Sequence, residues 1–286
     1  MLIKRNLLLF FRDRSAVFFS LLSVLIIIGL YALFLGDALE KSLQTGLGFE
    51  SDKISVVIAS ITLAGMIAVT SVTSCLGALG VSVSDKENAG KDFRTSPVSR
   101  KKILVGYIAG SGAVGLIMTV AALVICTGYI LSKGGSLPSP TNCGLLLLTA
   151  VLSVLCGNAM VFFGTTFVKS QQAYTSMSTI IGTLIGFLMG IYIPLGTLPE
   201  AMQWVIKLFP MTHAASMFKQ IFADGELAEL FATAPPEALQ GTREMFGVAL
   251  TFGGFEGGFW FSAAVLIATT VVFYGASLLV MKLRRD

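Results

Sequence analysis

The sequence predicts an all-α polytopic membrane protein with six transmembrane helices, and three observations support this. Of its 286 residues, 55% are hydrophobic and only 13% are charged, whereas water-soluble domains carry about 25% charged residues. The uncharged residues form six long runs, and a helix of about 20 residues crosses about 30 Å of hydrocarbon. Lysine and arginine concentrate in alternate connections, as the positive-inside rule requires. The excess of 20 basic over 16 acidic residues is too small to indicate nucleic-acid binding.

The chain begins with a basic but mostly apolar stretch, residues 1–14, which we interpret as an interfacial helix. On a helical wheel, Lys4, Arg5 and Arg12 fall within about 100° of arc, and apolar residues cover most of the rest. Such a helix lies in the headgroup layer with its cations toward anionic lipid. The alternative is a plain basic flank of the first span, but residues 7–11 are too apolar to lie free in water.

The six spans are predicted from the uncharged runs themselves. They cover residues 15–36, 54–83, 103–131, 144–168, 173–193 and 258–281. The fourth begins at residue 144 because the preceding stretch holds two prolines and several turn formers. The first run is longer than the apolar part of a secretory signal and lacks a small-residue cleavage site before Asp37. We therefore expect it to stay attached as a span.

Orientation follows from the basic residues. If both termini lie on one side, that side holds 14 of the 20 lysines and arginines, and positive-inside counting makes it the cytoplasm. We therefore expect a multi-pass protein of the cell (plasma) membrane with both termini cytoplasmic.

Two connections between the spans are expected to carry structure of their own. In the cytoplasm, residues 85–99 form a loop whose short helix would end before Thr95-Ser96-Pro97, because residues preceding proline avoid the α region. Such a helix suits a segment that receives force from a partner, although a plain connection is the alternative. Outside, residues 194–256 include two half-apolar segments, 198–209 and 211–222, which we interpret as re-entrant or interfacial helices. Residues 224–244 are acidic and predict an exposed cap.

Small and weakly polar residues mark two spans. The fifth span carries small residues at four-residue intervals, which suits close helix packing or a two-fold partner helix; they are Ser178, Gly182, Gly186 and Gly190. The second span carries hydroxyl side chains that either return to their own backbone or line a weakly polar cavity; they include Thr70, Ser71 and Ser74.

The chemistry that would power transport or catalysis is missing from this sequence. No ionisable residue occurs inside the six spans, whereas ion-coupled carriers generally need one. No Gly-x4-Gly-Lys-Ser/Thr string occurs, so the chain cannot hold ATP by that loop. The sole histidine is His213, and Ser111 lacks a Gly-x-Ser-x-Gly frame. Because the four cysteines also lack metal-ligand spacing, we expect a non-enzyme with no catalytic residues, no metal and no cofactor of its own.

Three stretches carry a resemblance to a known family. Between spans two and three, the string Glu87-x2-Gly90-x5-Ser96-Pro97-Val98-Ser99-Arg100 is similar to the family pattern E-x-x-G … S-P-V-S-R. After span five, the most specific stretch includes Tyr192-Ile193-Pro194-Leu195, Leu198-Pro199 and Pro210-Met211-Thr212-His213-Ala214. The basic residues 4–14 lie where the family has its connecting helix. The chain thus resembles the permease subunit of ABC-2 type (type V, ABCG-like) exporters, in the form of a bacterial half-size exporter.

The resemblance implies a single permease domain, residues 1–286, with an N-terminal connecting helix, a cytoplasmic coupling helix and an outer gate of extracellular re-entrant helices after span five. A separate ATP-binding cassette ATPase subunit would hold ATP and Mg, so this chain would bind neither. A second permease copy or a sister permease would complete a substrate cavity lined largely by spans one, two and five.

The resemblance also implies which residues act. Coupling to the ATPase would fall to Glu87, Gly90, Phe93, Arg94, Pro97, Arg5 and Arg12. The substrate cavity would be lined by Thr70, Ser71, Ser74, Thr179, Thr183 and Phe187. Helix packing or the dimer axis would use Ser178, Gly182, Gly186 and Gly190. The outer gate would use Pro194, Leu198, Pro199, Pro210, Thr212 and His213.

Three functions stay open at this point. The motifs and the charge-free spans favour an ATP-driven exporter permease for a hydrophobic or amphipathic compound, such as a drug, lipid or peptide. The alternatives are an unpowered six-span channel, and a membrane sensor or immunity protein that binds a membrane-active peptide without moving it.

Overall fold

The computed structural model describes residues 2–31, 33, 36–47, 52–88, 99–232 and 234–283, and these are mostly helical. The helices of the first two thirds of the chain are α1 (Leu2–Arg12), α2 (Arg14–Leu30), α3 (Gly36–Leu47), α4 (Asp52–Asn88), α5 (Arg100–Ser132), α6 (Pro140–Thr165) and α7 (Gln171–Leu188). The last third contains a 3-10 turn (Leu195–Thr197), α8 (Glu200–Leu208), α9 (Pro210–Leu230), α10 (Pro236–Met245), β1 (Leu250–Phe252), β2 (Phe255–Gly257) and α11 (Phe259–Leu283).

Four of the described helices are long and apolar enough to cross a membrane. They are α4, α5, α6 and α11, and they coincide with the predicted spans two, three, four and six. The predicted spans one and five lie on α2, which has 17 residues, and on α7, which has 18. At 1.5 Å per residue these two helices extend about 26 Å, slightly less than the hydrocarbon thickness of about 30 Å.

Helix α4 forms the centre of the bundle. Its most apolar segment is almost wholly buried, with α5 and α9 packed along it and α6 and α7 beside them. Small residues allow the close approach: a Cβ built on Gly115 would lie 2.6 Å from Sγ of Cys75. Hydrogen bonds between helices add to this packing. Asn158 of α6 accepts from the Ser111 hydroxyl at 3.0 Å and donates to the carbonyl of Ile108 at 2.9 Å.

Ion pairs and hydrogen bonds distinguish the two ends of the bundle. Lys53, at the start of α4, lies 2.6 Å from Glu229 of α9. Ser136, just after α5, donates to Glu226 of the same helix at 2.8 Å. The start of α4 and the end of α5 therefore lie together, with α9, at one end. The end of α4, the start of α5 and α1 lie at the opposite end, where Arg5 of α1 pairs with Asp85 of α4.

Several local elements differ from the sequence-based expectation. The all-α prediction omits an antiparallel hairpin in which Phe252 pairs with Phe255, and the turn between them uses Gly253 and Gly254, both with positive φ. Two such glycines match the turn that two-residue hairpins prefer.

Helix α3 was not predicted in the connection after span one. Helix α4 continues to Asn88, so residues 85–88 extend span two. The rest of the expected coupling helix, residues 89–98, lies outside the described residues.

Candidate coupling site, translocation surface and outer gate

Helix α1 lies in a groove between α4 and α5, and two glycines of α5 make room for it. A Cβ built on Gly110 would lie 2.9 Å from Cβ of Asn6, and one on Gly106 would lie 2.8 Å from Cβ of Leu2. Asn6 is buried and donates to the carbonyl of Gly106 at 3.1 Å. Phe10, also buried, packs against residues of both α4 and α5. One face of the basic N-terminal helix therefore packs against protein, whereas the sequence indicated contact with lipid.

Asp85, in the last turns of α4, joins three helices at this groove. Its carboxylate accepts from Arg5 Nη1 at 2.9 Å and Nη2 at 3.0 Å, and from the Tyr107 hydroxyl at 2.6 Å. The hydrogen bond to Asp85 raises the pKa of the Arg5 guanidinium. A carboxylate near a helix C-terminus is opposed by the helix dipole, and a bidentate arginine offsets that opposition. We call Arg5, Asp85 and Tyr107 the clasp.

The predicted coupling residues divide between this site and the part of the chain that is not described. Arg5 belongs to the clasp, and Arg12 is exposed at the end of α1. Glu87 lies in the last turn of α4. Gly90, Phe93, Arg94 and Pro97 lie outside the described residues.

The clasp partners of Arg5 were not predicted. Eighty residues separate Arg5 from Asp85, and helical periodicity pairs only residues of one helix.

The hydroxyl patch of the second span is buried inside the chain. Thr70 returns its hydroxyl to the carbonyl of Met66 at 2.9 Å. Ser71 donates to the carbonyl of Ala68 and lies 2.5 Å from the hydroxyl of Ser153 on α6. The Ser74 hydroxyl has no partner among the described residues. These three side chains face the interior of the bundle.

The cavity residues predicted on the fifth span are exposed along α7, apart from the buried α4 patch. Thr179 and Thr183 donate to the carbonyls four residues earlier, at 2.9 Å and 2.5 Å. Phe187 is exposed on the same helix and packs edge-on against Tyr192. Helix α7 carries no charged side chain, and each threonine hydroxyl bonds to a carbonyl of its own helix. The exposed face is therefore uncharged and only weakly polar.

The small residues of the fifth span have different surroundings. Gly190 has a φ of +61° and ends α7, with Gly190 N–H bonded to Phe187 and Ile191 N–H to Gly186, the pairing of a Schellman cap. A Cβ on Gly186 would overlap the Tyr192 ring. A Cβ on Gly182 would meet nothing within 4 Å, so this part of the ridge is open. The buried Ser178 hydroxyl has no partner among the described residues.

Three of the predicted outer gate residues, Pro210, Thr212 and His213, lie in the first turn of α9. Thr212 donates to the carbonyl of Leu188 at 3.1 Å, which satisfies one of the carbonyls left open at the end of α7. His213 Nδ1 lies 3.2 Å from the hydroxyl of Ser262 on α11, and its ring stacks on Phe252 with centroids 6.1 Å apart. Burial lowers the pKa of His213 to about 4, so its imidazole is neutral at physiological pH. The first turn of α9 therefore connects α7, α11 and the hairpin.

The three prolines predicted for the outer gate lie at helix boundaries. Pro210 occupies the first turn of α9, where its missing N–H costs nothing, and Pro199 directly precedes α8. Pro194 precedes the 3-10 turn. Leu198 packs against a small buried cluster that includes Ile206.

A buried polar row on α9, which was not predicted, fixes the segment after α10. Ser216 donates to the carbonyl of Val248 at 2.7 Å, and Lys219 donates to that of Phe246 at 2.8 Å. Burial lowers the pKa of Lys219 to about 8. Its ammonium group reaches the C-terminal end of α10, where the helix dipole favours a positive charge. Helix α9 is therefore buried over most of its length, more than its half-apolar sequence indicated.

The described residues offer no candidate metal site, since no three His, Cys, Asp or Glu side chains gather in a way that could hold an ion.

A comparison with protein families gives the clearest assignment. Residues 41–279 match the model described as ABC-2 family transporter protein. This match covers the described spanning helices α4, α5 and α6 completely and nearly all of α11. A search of curated proteins found no match. Together with the four apolar helices, the match makes the chain a multi-pass membrane protein of the permease type, the membrane component of an ABC transporter rather than its ATPase. The chain belongs to the ABC-2 transporter family.

Proposed function

We propose that the chain is the permease subunit of an ATP-driven exporter and moves a hydrophobic or amphipathic compound outward. A separate ATP-binding cassette subunit, carrying ATP and Mg, would supply the energy. In this proposal α2 and α7 complete six spans, both termini are cytoplasmic, and the protein lies in the plasma membrane. The clasp then marks the cytoplasmic end of the bundle, and α8 to α10 mark the outer end.

The observation that carries the proposal is the clasp. It joins α1, α4 and α5 directly before residues 89–98, where the coupling helix is expected. Helix α4 packs against α5, α6, α7 and α9, and close-packed interiors transmit displacement to their neighbours. A push on the coupling segment would therefore move α4 and, through α9, the outer gate. The spans need no ionisable group of their own for this.

The exposed face of α7 supports the substrate class. Thr179, Thr183 and Phe187 offer an uncharged, weakly polar surface, and Gly182 leaves room for a close neighbour. A second permease copy or a sister permease facing this surface would enclose a cavity suited to drugs, lipids or peptides. In the same proposal Thr70, Ser71 and Ser74, the buried hydroxyl residues of α4, pack behind the residues that line this cavity.

The test is transport by the complex of this chain with its ATPase in proteoliposomes, using a panel of fluorescent amphipathic dyes. Glu87→Ala should keep ATP hydrolysis and lose dye transport, because Glu87 lies at the proposed coupling segment. Glu237→Ala, on an exposed residue of α10, is the matched control and should behave as the wild type. Dye flux that needs no ATPase would favour a channel, and dye or peptide binding without transport would favour a sensor. Equal transport by both variants would contradict the proposal.

A further inference from the structure

Lys219 is a buried cation that the proposed transport mechanism leaves unused. It lies near the middle of α9 and is only 3% exposed. Its ammonium group donates to the carbonyl of Phe246 at 2.8 Å. The backbone of Gly247 lies beside it, since a Cβ built on that glycine would be 3.6 Å from Nζ of Lys219. A lysine is almost never buried this completely unless it is paired.

The charge of Lys219 is not matched within the described part of the chain. No carboxylate among the described residues forms an ion pair or a hydrogen bond with the ammonium group. Burial lowers the pKa of Lys219 to about 8, so most of the lysine is still protonated at pH 7. An ammonium group carries three N–H donors, and the Phe246 carbonyl accepts from one of them. The C-terminal end of α10 adds only a partial negative charge. Burying a charge and its donors without full compensation costs free energy.

A small cavity adjoins Lys219 at the end of the bundle that holds α8, α9 and α10. Lys219 and its acceptor residue Phe246 both line this cavity, together with Leu39 of α3, Thr62 of α4 and Pro194 after α7. Thr62 is the second polar side chain of the lining, and the other lining side chains are apolar. The cavity has room for one particle of about the size of a water molecule. A positive charge and a hydroxyl group therefore border a space that fits a single small ion.

We propose that this cavity is a binding site for a small monovalent anion, with chloride as its occupant. Chloride accepts hydrogen bonds from ammonium and hydroxyl groups, and it supplies the negative charge that the surroundings of Lys219 lack. A water molecule would satisfy the free N–H groups but would leave the charge unmatched. Organic anions such as gluconate are too large for the cavity.

A bound anion would connect parts of the fold that are far apart in sequence. The cavity wall is formed by α3, α4, α9 and the segment after α7. An anion held by Lys219 and Thr62 would therefore stabilise α9 against α4, beside the residues of the proposed outer gate. This inference does not depend on the exporter function, since it concerns binding by this chain alone.

The test is the melting temperature of the purified chain in detergent at pH 7, while chloride replaces gluconate at constant ionic strength. A ligand that binds only the folded state raises the melting temperature in a concentration-dependent way. Lys219→Met removes the ammonium group and keeps a side chain of similar length, and it should abolish the chloride-dependent rise. Lys133→Met is the matched control, because Lys133 is an exposed lysine directly after α5. This control should respond to chloride as the wild type does.

Thr62→Val is a second variant, for the case that Lys219→Met does not fold. Valine has the shape of threonine but lacks the hydroxyl group, so the cavity keeps its size and loses one hydrogen-bond donor. The chloride concentration that gives half of the maximal effect should then rise by about fivefold, which corresponds to the loss of one hydrogen bond.

Three results would overturn the proposal. A wild-type melting temperature that does not depend on chloride would mean that no anion occupies the cavity. An equal chloride-dependent rise in folded Lys219→Met protein would place the anion elsewhere on the chain. An unchanged half-maximal chloride concentration in Thr62→Val protein would show that the anion does not bind beside α4.

Discussion

Gly110→Ala perturbs the seat of α1 on α5 by a single methyl group. Its Cβ would lie 2.9 Å from Cβ of Asn6 and 3.0 Å from Nδ2, about 1 Å inside the usual carbon contact distance. Helix α1 must then shift, or the Asn6 bond to Gly106 must break.

The cost of this change can be worked from its parts. Tolerating the overlap costs about 1–3 kcal/mol, and relieving it by a shift of α1 loses the buried hydrogen bond, about 1 kcal/mol; the helix propensity of alanine acts on α5 equally in both states of α1 and cancels. The net weakening is about 2 kcal/mol, which is roughly a 30-fold change in the ratio of docked to detached α1.

Hydrogen–deuterium exchange of residues 2–12 in nanodisc-embedded protein measures this ratio. Gly110→Ala should speed the exchange of α1 by about 30-fold and leave that of α6 unchanged. The matched control is Gly128→Ala on the same helix, where a Cβ would meet nothing within 4 Å. It should leave α1 exchange unaltered. If the two variants give the same α1 protection, the proposed seat is wrong.

Three further changes test other parts of the structure. Asp85→Asn removes the negative charge of the clasp and should weaken the attachment of α1 by about 1–2 kcal/mol, which we expect to appear as a loss of ATP-driven transport. The control Lys53→Gln breaks an exposed ion pair and should leave transport almost unchanged. Equal transport by the two variants would count against the clasp. Because burial lowers the pKa of His213 to about 4, below the unfolded value of about 6.5, the unfolded chain binds the extra proton first. The melting temperature should then fall as pH drops from about 6.5 toward 4, and a His213→Asn protein that shows the same fall would refute this cause. Asn158→Leu keeps the size but loses two bonds between α5 and α6, and should cost about 1–2 kcal/mol in denaturant unfolding; an unchanged midpoint would contradict the assigned bonds.

The spanning helices were the part of the fold best predicted from sequence. Uncharged runs with charged ends predicted α4, α5, α6 and α11, because a charged side chain in hydrocarbon is costly. The same reasoning gave no access to contacts between helices. Gly106 and Gly110 have the four-residue spacing of small residues that suits close helix packing, but their packing partner, α1, is known only from the structure.

Residue type alone also left several roles undecided. Ser71 and Thr183 are both hydroxyl residues of apolar helices, yet Ser71 is buried against α6 and Thr183 is exposed, since helix rotation is set by packing. Gly190 shares the four-residue spacing of its neighbours, but it ends α7. The pair Gly253-Gly254 is typical of a hairpin turn, but the hairpin was not predicted because its neighbours are mostly apolar.

Reconstitution of the purified chain, with and without its ATPase subunit, tests whether transport by this permease is driven by ATP hydrolysis on a separate subunit. Vesicles that contain this chain alone should neither hydrolyse ATP nor concentrate an amphipathic dye, and adding the ATPase should produce both activities. Uphill dye transport by the chain alone would contradict the account.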